Sequence, residues 1–269
     1  GLDRFAETYK HECVDAGASQ CPTSFCQAPA CNGNACAARP IGVERALGGN
    51  WLMLELFAAG TAAIPRLGTV QAGFAFGEDG VLTTYGSYAS VSQAPPGDGD
   101  YCVSSDGDLH FALPYGAVAS ADGQQARKVY RGVVSGSDDF ALVYREAEAS
   151  LGVLIRMPTG NAPKLVGKYR FTGAFRRKVI GVRAALGEIV FDERGCTTGG
   201  SVRFSDEFEP VAISAGDCQG VFGWLLGTRI AFGDEAYTFR GTSNRGGATA
   251  ALTLDAGTTT VGDGLVILT

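Results

Sequence analysis

Phe76-Gly77-Glu78-Asp79-Gly80-Val81 recurs further along the chain as Phe191-Asp192-Glu193-Arg194-Gly195-Cys196. Each stretch sets an aromatic residue, an acidic turn and a glycine in the same order. Glycine enters positive φ without a steric penalty, so both read as tight hairpin turns. Four further pairs flank this one in the same order. Gly49-Asn50-Trp51 matches Gly167-Lys168-Tyr169, and Gly99-Asp100-Tyr101-Cys102 matches Gly216-Asp217-Cys218. Val129-Tyr130-Arg131-Gly132 matches Thr238-Phe239-Arg240-Gly241, and Gly152-Val153-Leu154-Ile155 matches Gly264-Leu265-Val266-Ile267. A displacement of about 110 residues is a domain duplication, not a solenoid repeat.

Between these landmarks the chain reads as strands. Short runs rich in Val, Ile, Phe, Tyr and Leu are broken at short intervals by Gly, Asp, Asn or Pro. Strands are expected over 51–57, 70–76, 81–90, 109–113, 126–134 and 140–145 in the first copy. In the second they are expected over 167–175, 185–192, 198–205, 220–230, 235–242, 248–254 and 264–268. No helical pattern separates them, so parallel βαβ units are excluded in favour of an antiparallel barrel or sandwich. The 39 glycines among 269 residues fit many turns and disfavour long helices. The expected fold is all-β: two tandem barrel-like repeats, 49–158 and 159–269, behind a Cys-rich, partly helical extension, 1–48. Residues 2–12 and 41–47 are the expected short helices, the first from Leu2, Phe5 and Tyr9 on one face.

The composition is that of a packed chain, with 45% hydrophobic and 19% charged residues. The net charge of −6 and the lack of a basic stripe beyond Arg176-Arg177-Lys178 argue against nucleic acid. No run of 18 apolar residues reads as a spanning helix. The chain begins Gly1-Leu2-Asp3, as a processed chain would.

Five of eight cysteines fall before residue 37: Cys13, Cys21, Cys26, Cys31 and Cys36. The C-x4-C spacing suits disulfides better than zinc or iron–sulfur ligation, which points to a secreted, periplasmic or cell-surface location. The remaining three are Cys102, Cys196 and Cys218. The repeat places Cys218 opposite Cys102, while Val81 stands where Cys196 would be. Cys196 is therefore expected to pair with Cys218, and Cys102 with one of the N-terminal five.

Gly49-Asn50-Trp51 at the opening of a compact antiparallel meander resembles lipocalin-like (calycin) barrels, with Gly167-Lys168-Tyr169 as a degenerate second copy. The resemblance implies a barrel with an interior site for a small apolar ligand. It also implies an arginine packed over the tryptophan, a part that falls to Arg131 or Arg240.

Catalytic patterns are sparse. His11 and His110 are the only histidines, no G-x-S-x-G elbow or P-loop occurs, and a His-rich zinc centre is excluded. Asp98, Asp100, Asp106 and Asp108 form an acidic stretch that reads either as hairpin turns or as a calcium loop. Apart from calcium no cofactor is implied. Gly220-Val221-Phe222-Gly223-Trp224-Leu225-Leu226-Gly227 reads as a buried strand or as a patch awaiting a partner.

Three functions fit. The first is a non-catalytic accessory subunit docked on other protein subunits. The second is a small-ligand-binding barrel. The third is a secreted enzyme with its acids between the barrels, around Asp98–Asp108 and His110.

Overall fold

The computed structural model describes residues 26–32, 35–40, 42–61, 64–89, 98–119, 125–145, 149–177, 181–255 and 261–269. The expected helix at 2–12, with Cys13 and Cys21, lies outside them. Among the described residues the chain is all-β. It opens with a hairpin of β1 (Gln27–Asn32) and β2 (Ala35–Pro40), in which Cys31 and Cys36 occupy opposed backbone positions.

The first barrel runs β3 (Gly49–Thr61), β4 (Ile64–Phe76), β5 (Val81–Ala89), β6 (Asp98–Val103), β7 (Asp108–Ala119), β8 (Gln125–Val134), β9 (Phe140–Arg145) and β10 (Ser150–Arg156). It is an antiparallel meander closed by β10 pairing with β3. The second runs β11 (Gly167–Arg177), β12 (Gly181–Phe191), β13 (Thr197–Phe204), β14 (Val211–Ser214), β15 (Gly220–Phe222), β16 (Leu225–Phe232), β17 (Glu235–Ser243), β18 (Ala250–Asp255) and β19 (Val261–Leu268). β19 pairs with β11 and β14 with β16, closing eight strands, while β15 lies against β16 outside the ring. Closure removes the open edges a flat sheet would present.

The duplication extends to single hydrogen bonds. In the β4–β5 turn Gly77 N donates to Val81 O; in the β12–β13 turn Asp192 N donates to Cys196 O. Gly80 and Gly195 both hold positive φ, 84° and 78°. Their carbonyls accept from Tyr101 N and Gln219 N respectively. Tyr101 thus corresponds to Gln219, and Cys218 stands at the place of Asp100, two residues from where the sequence alignment set it. The disulfides described are Cys196–Cys218 and Cys26–Cys102. Cys196 and Cys218 bridge as Val81 and Asp100 do in the first barrel.

Residues 42–47 are not helical. They form a strap beneath barrel 1, with Val43 bridging Val103 in parallel and Glu44 N donating to Val103 O. Glu44 Oε2 accepts from Ser105 N, Arg45 pairs with Asp138, and Leu47 is buried in the barrel core. The strap's side chains gain more from closing the barrel base than a six-residue helix gains from its own hydrogen bonds.

The stretch 220–230 is likewise not one buried strand. It turns at Gly223 (φ 62°), leaving Phe222 77% and Trp224 38% exposed.

The two barrels lie side by side. Leu52 and Leu54 on the outer face of β3, with Val153, Ile155 and Met157, pack against Ala251 and Leu265 on the outer face of β18 and β19. Gln71 donates to Thr253 across this contact. Asn244 Nδ2 donates to Asp139 Oδ2 at 2.8 Å, joining the two bases.

Candidate functional site inside barrel 1

Strand alternation sends Trp51, Met53, Glu55 and Phe57 of β3 into barrel 1 and leaves Leu52, Leu54 and Leu56 outside. Trp51 closes the base: it is fully buried, its ring meets Phe76 edge-on, and Nε1 donates to Gly48 O at 3.2 Å. Arg156, not Arg131 or Arg240, is the arginine beside it. Arg156 is in register with Trp51, and its guanidinium lies within 3.4–3.9 Å of where a side chain on Gly49 would begin. Arg131 and Arg240 occupy positions whose parity turns them to the outer faces of β8 and β17. Tyr101 completes the base; its hydroxyl donates to Gly77 O, and burial, with Asp79 and Glu78 nearby, raises its pKa.

Above this floor lies a polar set that the sequence reading passed over. Glu55 is 1% exposed and Arg145 5%. Arg145 Nε donates to Glu55 Oε1 at 2.8 Å, and Tyr130 Oη donates to Glu55 Oε2 at 3.0 Å. The Arg145 guanidinium sits 5.2 Å from the Phe57 ring centre and 6.0 Å from that of Tyr130. Tyr130 in turn stacks on Phe111, with ring centres 4.6 Å apart. The signal was present: Glu55 is the one acid in Trp-Leu-Met-Leu-Glu-Leu-Phe, and it shares parity with Trp51 and Met53.

Barrel 2 supplies the comparison. Trp51 corresponds to Tyr169, so Glu55 corresponds to Gly173. Tyr130 corresponds to Phe239 by the shared Arg-Gly that follows each. Tyr130 pairs with Arg145 across β8–β9, and Phe239 pairs with Leu254 across β17–β18, so Arg145 corresponds to Leu254. Glu, Tyr and Arg in one barrel are Gly, Phe and Leu in the other. Barrel 2 fills its interior with aromatic rings: Phe175 meets Phe204, Phe232, Tyr237 and Phe239 at centre distances of 5.5–5.8 Å.

The acidic stretch and His110 are placed elsewhere. Asp98 to Val103 form β6, and Asp108 begins β7. Asp100 opposes Ala112 and Asp108 opposes Val133, so the two lie about 13 Å apart along the strands. Asp100, Asp106 and Asp108 are exposed. His110 is 7% exposed, in register with Cys102 and Arg131 on the outer side of β7. In ring order β7 stands opposite β3, so neither these acids nor His110 lies between the barrels. Among the described residues no group of three or more His, Cys, Asp and Glu converges as a metal site.

No family model and no curated protein matches this chain. Two solved structures resemble it at 10% identity. One is a protein assigned as AttH from Nitrosomonas europaea, with a TM-score of 0.26 over 82% of this chain and 92% of that one. The other is kievitone hydratase from Nectria haematococca, with a TM-score of 0.24 over 82% and 88%. Likeness at this level bears on neither activity nor ligand.

Proposed function

We propose that barrel 1 binds a small neutral amphipathic ligand, with Glu55, Arg145 and Tyr130 meeting its polar end. One observation carries this reading: the same architecture, in the same chain, dispenses with these groups in barrel 2. Burying an ion pair brings a desolvation cost that an apolar replacement avoids. A structural role alone gives no reason for barrel 1 to retain the pair. Carboxylate and guanidinium are balanced, so a hydroxyl or carbonyl suits the site better than a charged head. Small-molecule sites commonly set a few fixed polar groups in an apolar wall. Barrel 2, filled by its own rings, serves as the rigid support.

The test is titration with the neutral fluorophore N-phenyl-1-naphthylamine, followed by displacement with straight-chain alcohols. Saturable binding to the wild type is expected. The double variant Glu55→Leu/Arg145→Leu should stay folded yet lose alcohol displacement by about tenfold, the effect of one lost hydrogen bond to a charged group. A wild type that takes up no probe, or a double variant displaced as readily as wild type, rules the reading out.

A further inference from the structure

The contact between the barrels joins two unlike faces, and each chain carries a second copy of both that is largely exposed. In barrel 1 the contributing face is the outside of β3 and β4, through Leu52, Leu54 and Gln71. In barrel 2 it is the outside of β18 and β19, through Ala251, Thr253 and Leu265. The repeat assigns each position a twin. Leu54 is opposite Gln71 and Thr172 is opposite Leu186, so Gln71 corresponds to Leu186. Arg145 corresponds to Leu254, so Thr253 corresponds to Tyr144. By the same registers Ala251 corresponds to Leu142 and Leu265 to Leu151, two residues from the match of Gly152-Val153 with Gly264-Leu265 read in the sequence.

These twins are exposed apolar residues. On barrel 1, Leu142, Tyr144 and Leu151 are 43%, 49% and 48% exposed, and Val133, in register with Leu142, is 57% exposed. Leu151 belongs to the same strand face as Val153 and Ile155, which already lie under barrel 2, so this stripe continues the existing interface. On barrel 2, Leu186 is 65% exposed and lies in a groove of about 810 Å³ on the outside of β11–β13, lined also by Thr172, Ala184 and Arg203.

Within the chain, Leu52 and Leu54 pack with Ala251 and Leu265, and Gln71 donates to Thr253. Among the twins, Leu142 and Tyr144 stand at the places of Ala251 and Thr253, Leu186 stands at that of Gln71, and Arg170 and Thr172, which line the groove, stand at those of Leu52 and Leu54. We infer that a second copy of this chain docks its β8–β10 stripe into the β11–β13 groove, repeating between chains the barrel contact made within each, with Tyr144 of one copy over Leu186 of the other. Two such contacts, each copy giving its stripe and receiving its partner's, close a two-fold dimer of four barrels.

The experiment is sedimentation velocity on the intact, disulfide-bonded chain, with circular dichroism to verify the fold. The wild type is expected at twice the 27.9 kDa chain mass. Leu186→Glu and Tyr144→Lys, both on exposed outer faces, should each yield monomer with an unchanged spectrum. The double variant Leu186→Glu/Tyr144→Lys should regain the dimer, because the two new charges of opposite sign then face one another across the contact. A monomeric wild type overturns the proposal, as does a dimer indifferent to both single substitutions or a double variant that stays monomeric.

Discussion

Arg145 and Glu55 form a 2.8 Å ion pair inside barrel 1, at positions taken by Leu254 and Gly173 in barrel 2. The pair joins β9 to β3, and Tyr130 brings in β8. Removing one partner leaves a charge buried without its counterion, which costs about 3–5 kcal/mol, whereas apolar replacement of both is close to neutral. Glu55→Leu alone and Arg145→Leu alone should therefore destabilise strongly, and the double variant should recover most of the loss. A denaturant-based double-mutant cycle reads the coupling directly. Additive losses would show that the pair is not a unit.

The sequence carried the barrels well and the site poorly. Turn chemistry at Gly80 and Gly195 and the repeated landmarks set the duplication and the placing of most strands. They could not reveal β6, because Asp98-Gly99-Asp100 reads as turn chemistry although its backbone completes the ring between β5 and β7. Parity within β3 would have exposed Glu55, since an acid sharing a face with Trp51 and Met53 must be buried if they are. The partner of Trp51 was missed for a related reason. Arg131 and Arg240 sit within recurring motifs, but alternation turns both outward, and Arg156 reaches Trp51 only because β10 closes on β3.

Gly49 tests that closure. Its φ of 80° lies where side chains are strained, and a Cβ there would stand 3.4 Å from Arg156 Nε. Gly49→Ala should cost about 1–2 kcal/mol, from backbone strain alone if Arg156 yields. Thermal unfolding followed by the fluorescence of buried Trp51 is the measurement. An unchanged midpoint would mean that the base relaxes freely around the new methyl group.

The two disulfides among the described residues should differ in weight. Cys26–Cys102 spans 76 residues and Cys196–Cys218 spans 22. On the chain-entropy account these are worth up to about 4.5 and 3.4 kcal/mol respectively. Replacing Cys26 and Cys102 together by serine should lower stability more than replacing Cys196 and Cys218. Equal losses, or the reverse order, would show that local packing outweighs loop closure. Paired replacement in denaturant titrations decides the order.

Asp192 predicts how stability responds to acid. Its Oδ1 accepts from Cys196 N at 2.8 Å and from Arg194 N at 2.9 Å, organising the turn that opens β13. The Cys196 N–H chiefly, with the Arg194 backbone and guanidinium, holds its pKa below the ordinary carboxylate value. A carboxylate depressed in the folded state binds protons more readily when unfolded, so it stabilises the fold above its unfolded pKa. That contribution is fully present at neutral pH and fades as pH falls below about 4, through the folded pKa. Asp192→Asn keeps one acceptor but removes the charge. It should lower stability at pH 7 and make the decline between pH 5 and 2 shallower than in the wild type. The half-buried, solvent-facing position limits the size of the effect, so the slope of stability against pH is the informative quantity. Parallel slopes for variant and wild type would assign acid sensitivity to other carboxylates.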